Sequence, residues 1–303
     1  MKRLTVFLLV SSLLVLFSAC DSERLTQFAE FATAGTQYVQ AFHKLINQAG
    51  SVFIAADSLA LTAARNQAGA ELVSKNAAEF RANVQKSNAL LKTTLEDLRL
   101  IDQQATQLGA FFESISKLTD GKAAASMTTA TTGLLTSIEG LNSDVGKVKL
   151  GGAPLSTVVG GVTTIVVAHF EVKALNQELQ KAAPVIDTAL RLQEAAVDRI
   201  GQRMKDDLAL SLDNSEATTI LDPYVKNAAL PATWNANRER YLRASVTIGS
   251  LDNAKSAIQM LHTAFIQLCE NKQTISLGTM LGEINKMTGY AGVAEDAKKG
   301  TEP

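Results

Sequence analysis

The chain has 303 residues and carries 29 Lys and Arg against 30 Asp and Glu, a net charge of −1. That balance leaves no electrostatic footprint for nucleic acid and no strong attraction to anionic lipid. With two cysteines, five prolines and 5% aromatic residues, a disulfide framework is excluded, and the composition suits long helices better than sheet.

Met1, Lys2 and Arg3 open the chain, and residues 4–17 are apolar except for Thr and Ser. A short basic start followed by about 14 apolar residues has the form of a secretory signal and is too short for a lasting membrane span. The small residues Ser18 and Ala19 follow, and then Cys20. The run Phe17-Ser18-Ala19-Cys20 resembles the lipobox of bacterial lipoproteins, with Phe17 where that family usually has Leu. The resemblance implies removal of residues 1–19 and acylation of Cys20 as the new N-terminus. Each buried methylene contributes about 0.8 kcal/mol, so two or three acyl chains hold a protein on a bilayer without a transmembrane helix. Asp21 resembles the residue that retains such proteins on the inner membrane of Gram-negative bacteria. The expected location is therefore the bacterial cell membrane, with the chain facing the periplasm or the exterior. Removing residues 1–19, which include Lys2 and Arg3, leaves 284 residues with 27 basic and 30 acidic side chains, a net of −3.

From residue 23 the sequence is heptad-patterned. Phe31, Tyr38, Leu45, Val52 and Leu59 lie seven apart, and Phe28, Gly35, Phe42, Ala49, Ala56 and Ala63 form a second row offset by three. Together they predict a helix over residues 23–66, about 65 Å long at about 1.5 Å per residue. Gly35 and Gly50 either weaken that helix or admit a close neighbour. Ala77, Val84, Leu91, Leu98, Ala105 and Phe112, with the partner row Phe80, Ser87, Thr94, Ile101, Leu108 and Ile115, predict a second helix ending at Asp120-Gly121. A third stretch, residues 172–212, carries Leu175, Leu179, Ala182 and Ile186, then Leu190, Val197 and Met204, with Pro184 marking a kink or a new start. A fourth begins after Pro231, with Thr233 as cap and with Ala244, Leu251, Ile258 and Phe265 beside Ala254, Leu261 and Leu268. Leu277, Met280, Leu281 and Ile284 suggest a short last helix, and residues 294–303 read as a disordered tail. Seams of this length need partners. The expected fold is all-α, an elongated antiparallel bundle over residues 20–293; a coiled coil between chains is the alternative.

Residues 123–170 interrupt the pattern. "AAASMTTATTGLLTSI" and "LGGAPLSTVVGGVTTIVVAHF" contain no Asp, Glu, Lys or Arg, and a polar turn joins them. This apolar hairpin is either central bundle core or an element that enters lipid, a layout similar to helical pore-forming cytolysins. The second run barely reaches the roughly 20 residues a span requires and contains four glycines and a proline.

Catalytic and metal-binding signatures are lacking. His43, His169 and His262 sit in no metal-ligand spacing, and no G-x-S-x-G elbow occurs. The run "GLNSDVGK" resembles a phosphate loop only superficially, with Val148 where Ser or Thr would bind magnesium. No cofactor, metal or catalytic residue is expected. Cys269 reads as a buried, inert thiol. The loop "LDPYVKNAALPATWNANRERY" concentrates Tyr224, Trp234, Arg238 and Tyr241, residue types favoured at binding hot spots. These four form the candidate partner surface, or else a rigid cover over one end of the bundle. The sequence thus points to a non-enzymatic, membrane-anchored binding or scaffold module. Its partners would be a bilayer through Cys20 and a protein or a second copy through the helical seams, with no nucleic acid. The alternative is a membrane-active protein that inserts residues 123–170.

Overall fold

The computed structural model describes residues 2–119, 173–226, 229–248, 255–270, 272 and 275–301, with side chains from residue 23 onward except those of 118, 173–182, 246–248, 291 and 293–301. The fold is all-α. The helices are α1 (Lys2–Lys75), α2 (Ala77–Thr119), α3 (Lys173–Ser215), α4 (Asp222–Lys226), α5 (Trp234–Ile248), α6 (Ser256–Cys269) and α7 (Leu277–Thr301), with a π-helical segment, Glu216–Leu221, between α3 and α4. The apolar residues 123–170, with His169 among them, lie outside the described residues.

Side-chain pairings fix the direction of each helix. Between α1 and α2, Phe31 meets the Phe112 ring at 5.4 Å, His43 Nδ1 meets Asp102 Oδ1 at 2.5 Å, and Asp57 accepts from Ser87. The numbers rise on one helix as they fall on the other, so the two run antiparallel. Between α1 and α3 they rise together: Tyr38 donates to Gln193 at 3.1 Å, and the Arg203 guanidinium lies 4.1 Å over the Phe53 ring. The α6 helix descends again, with Phe265 stacked on Phe31 at 5.9 Å and Arg24 donating to the Leu268 carbonyl.

The first heptad rows become the core where these helices meet. Phe28, Phe31, Tyr38, Phe42, Leu45 and Val52 of α1 are buried against Ile101, Leu108, Phe112 and Ile115 of α2, Ile186, Leu190, Val197 and Met204 of α3, and Ile258, Leu261 and Phe265 of α6. Gly35 is required for close approach: a Cβ there would overlap the Phe112 ring. At Gly109 a Cβ would lie a tight 3.3 Å from Val39 Cγ1.

Four sequence expectations change in the structure. Pro184 lies inside one unbroken α3, with Thr188 Oγ1 donating to its carbonyl at 2.8 Å. The fourth stretch is two helices, α5 and α6, on either side of residues 249–254. The last helix is long, running to Thr301 through most of the segment whose composition reads as a tail. Finally, the heptad seam of residues 59–84 is not core. Val84 is exposed, while Leu59 and Phe80 are only partly covered. Here α1 and α2 pack on each other alone, as a two-helix arm, because α3 ends at its base. Gly69, at φ 76°, breaks α1 near the arm's tip, a backbone state that costs glycine little and other residues about 1 kcal/mol or more.

Candidate functional site

The described residues offer two kinds of polar feature, one internal and one at the surface. The internal features serve packing. Tyr38 Oη donates to Gln193 Oε1, Gln193 Nε2 donates to Gln104 Oε1, and Gln104 Nε2 reaches the Ala189 carbonyl at 3.4 Å. This chain of bonds crosses α1, α2 and α3 and satisfies amides that would otherwise be costly to bury. Burial also holds the Tyr38 phenol well above its ordinary pKa, with the Glu194 charge adding to the effect.

A second group ties α6 to α3. His262 Nε2 lies 2.7 Å from Asp187 Oδ1, and Arg191 Nε donates to Asp187 Oδ2 at 2.9 Å. Asp187 is almost wholly buried, so a charge there requires both partners. His43 and His262, which sit in no metal-ligand spacing, each pair across a helix interface, with Asp102 and Asp187. Cys269 is buried, and its thiol is pushed up to about 12 by desolvation and by the Asp187 and Glu270 charges. A thiol of that pKa stays protonated and unreactive in the folded chain. No group of His, Cys, Asp or Glu among the described residues could hold a metal ion. A cleft lined by Arg191, Glu194, Asp198, Arg199 and Lys255 carries three cations and two carboxylates, with Lys255 Nζ 2.9 Å from Asp198 Oδ1.

The surface feature is the corner where α3 gives way to α5. The i→i+5 bonding of Glu216–Leu221 makes a wider helical turn between α3 and α4. π-Helical turns are rare and often accompany functional sites. Two residues beyond α4's start, Tyr224 stacks on Trp234 with ring centroids 5.8 Å apart and planes at 28°. Trp234 is anchored beneath: its Nε1 donates to the Ile220 carbonyl at 2.9 Å. The Arg238 guanidinium, one turn further along α5, lies 6.0 Å from the Trp234 ring, within cation–π range. Tyr241, the next residue on that face, packs against the core's edge and bonds Glu216, which raises its pKa after the effect of burial. The structure therefore unites Tyr224, Trp234 and Arg238 and gives Tyr241 a supporting place.

The corner is both apolar and open. Tyr224 is 64% exposed and Val225 79%, with Leu221 and Leu230 also exposed. A cover buries such side chains, whereas this corner displays them around a fixed indole. Its aromatic content was visible in the sequence, whereas Leu221 and Val225 were not singled out there. Cys20 belongs to α1, whose backbone is helical from Lys2. Among the residues whose side chains are described, no helix is long and apolar enough to cross a membrane. Comparison with protein-family models, curated proteins and solved structures finds no match to this chain.

Proposed function

We propose that this protein is a membrane-anchored envelope lipoprotein, a non-enzymatic helical module that binds a protein partner through the Tyr224–Trp234–Arg238 corner. The observation that carries the reading is the exposed, pre-stacked aromatic pair. Tyr224 and Val225 stand in water around an indole already locked by its bond to Ile220. A rigid aromatic anchor with an arginine beside it loses little entropy on binding and has the composition of an interface hot spot. The lipobox-like Phe17-Ser18-Ala19-Cys20 supplies the anchor. The test places a photo-crosslinking amino acid at Val225 in cells. A discrete adduct should form, and Tyr224→Ala and Arg238→Glu, both at exposed positions, should abolish it. An adduct indifferent to both substitutions would remove the corner from the interface.

A second reading has its own support. The register of α2 on α1 and of α3 beside α1 puts Thr119 and Lys173 at the end of the bundle where Arg24 lies. The described chain thus ends at Thr119 and resumes at Lys173 on the side of Cys20, with the uncharged runs in the sequence between them. Under this reading they enter the bilayer that holds the acyl chains. Mature protein carrying Cys20→Ser should then release dye from liposomes; intact liposomes from neutral to acidic pH would count against it.

A further inference from the structure

We infer that the bundle stands end-on to the lipid surface with no flexible tether, so that the aromatic corner and the arm are held at a fixed height. The inference rests on acylation of Cys20 and adds the geometry that the anchor imposes. Three observations carry it. First, α1 is helical through Cys20 and stays within one helix to Gly69, so no coil separates the acylated residue from the core. Leu25 already packs on the core, and Phe28, two turns after Cys20, is fully buried. Second, Arg24 clamps this end. Its guanidinium donates to the carbonyls of Leu268 and Lys272, each at 3.1 Å, and to Gln27 Oε1 at 2.5 Å. The C-terminal end of α6 is a natural site for a cation, so the fourth residue after Cys20 is bonded to a second helix. Third, that end is opposite to the corner and the arm. The α3 helix runs parallel to α1 from Tyr38–Gln193 to Phe53–Arg203, and its C-terminal end leads away from Arg24 into the π-helical segment.

Helical rise converts this into a height. From Cys20 to Gly69 at about 1.5 Å per residue the arm tip stands about 70 Å from the lipid, and the aromatic corner, level with the arm's base, about 60 Å. Each partner contact is thereby presented at a set distance from the membrane, where a coil linker would let the body swing and lie down.

Energy transfer to a lipid acceptor tests this. The full chain, processed and acylated in cells, is reconstituted into vesicles of phosphatidylethanolamine and phosphatidylglycerol containing a headgroup acceptor dye. Donors are attached at exposed Lys75→Cys, near the arm tip, or at exposed Lys117→Cys, near the Arg24 end. Buried Cys269 leaves these as the labelled thiols. Emission from Lys117→Cys should be strongly quenched and that from Lys75→Cys nearly unchanged. A Gly/Ser insertion of eight residues after Asp21 should raise quenching at Lys75→Cys at least about twofold by freeing the body. Equal quenching at the two positions in the native chain, or no response to the insertion, overturns the end-on geometry while leaving the anchor intact. Failure of the protein to float with the vesicles overturns the anchor itself, and the geometry with it.

Discussion

Residues 28–56 and residues 59–84 carry the same heptad pattern into different environments. In the first region α1 meets α2, α3, α6 and α7, and its apolar rows disappear into a common core. In the second, α1 and α2 have only each other, and side chains in the same register stay partly or fully in water. A seven-residue repeat specifies which face of a helix is apolar. Burial of that face depends on how many neighbours reach it, and here the reach of α3, α6 and α7 sets the limit.

The contrast predicts unequal costs for similar truncations. Phe112→Ala, under Phe31 and Gly35, should destabilise the bundle by about 3–5 kcal/mol, whereas Val84→Ala on the arm, 42% exposed, should stay within about 0.5 kcal/mol. Denaturant unfolding measures both; equal losses would erase the distinction between the regions. Glycines sharpen the comparison. Gly35→Ala drives a methyl into the Phe112 ring and should cost about 1–3 kcal/mol. Gly282→Ala, in α7 with open space around it, should gain about 0.5–1 kcal/mol by helix propensity. A thermal melt of each variant gives the signs.

The buried polar chain comes next. Gln193→Leu leaves Tyr38 and Gln104 without their partner and should cost about 1–3 kcal/mol in chemical denaturation. No loss would mean that water replaces the missing amide. The smallest effect concerns Asp207, whose pKa burial raises despite Arg203 beside it. Its ionised form is thus disfavoured by folding. Asp207→Asn should raise the melting temperature slightly at pH 7, and the gain should vanish below the ordinary carboxylate range, where aspartate is protonated in both states. A gain that persists at acid pH would assign the effect to packing.

These differences also mark what the sequence makes legible. The boundaries of α2 and α3 follow from heptads and their stops, because a helix end is a local event: Ala77 begins one expected row, and the expected stop at Asp120-Gly121 adjoins Thr119. Exposure of the arm was not legible, since periodicity carries no information on how far a neighbouring helix extends. Gly69 escaped notice because its neighbourhood is Ala-rich and helical by propensity, and only its positive φ shows the break. Asp187, Gln104 and Gln193 read as interruptions of an apolar face, yet each is buried with a partner on another helix. The aromatic corner was half legible: composition named Tyr224, Trp234 and Arg238, while their stacking depends on a π-helical turn that no residue pattern announces.

Mass spectrometry of the N-terminal peptide, purified from membranes of the producing cell, tests the central claim most directly. The account predicts a chain that begins at Cys20, with its sulfur bearing diacylglycerol and its amine acylated. An unmodified thiol at that position, or a chain that retains Met1, would contradict it.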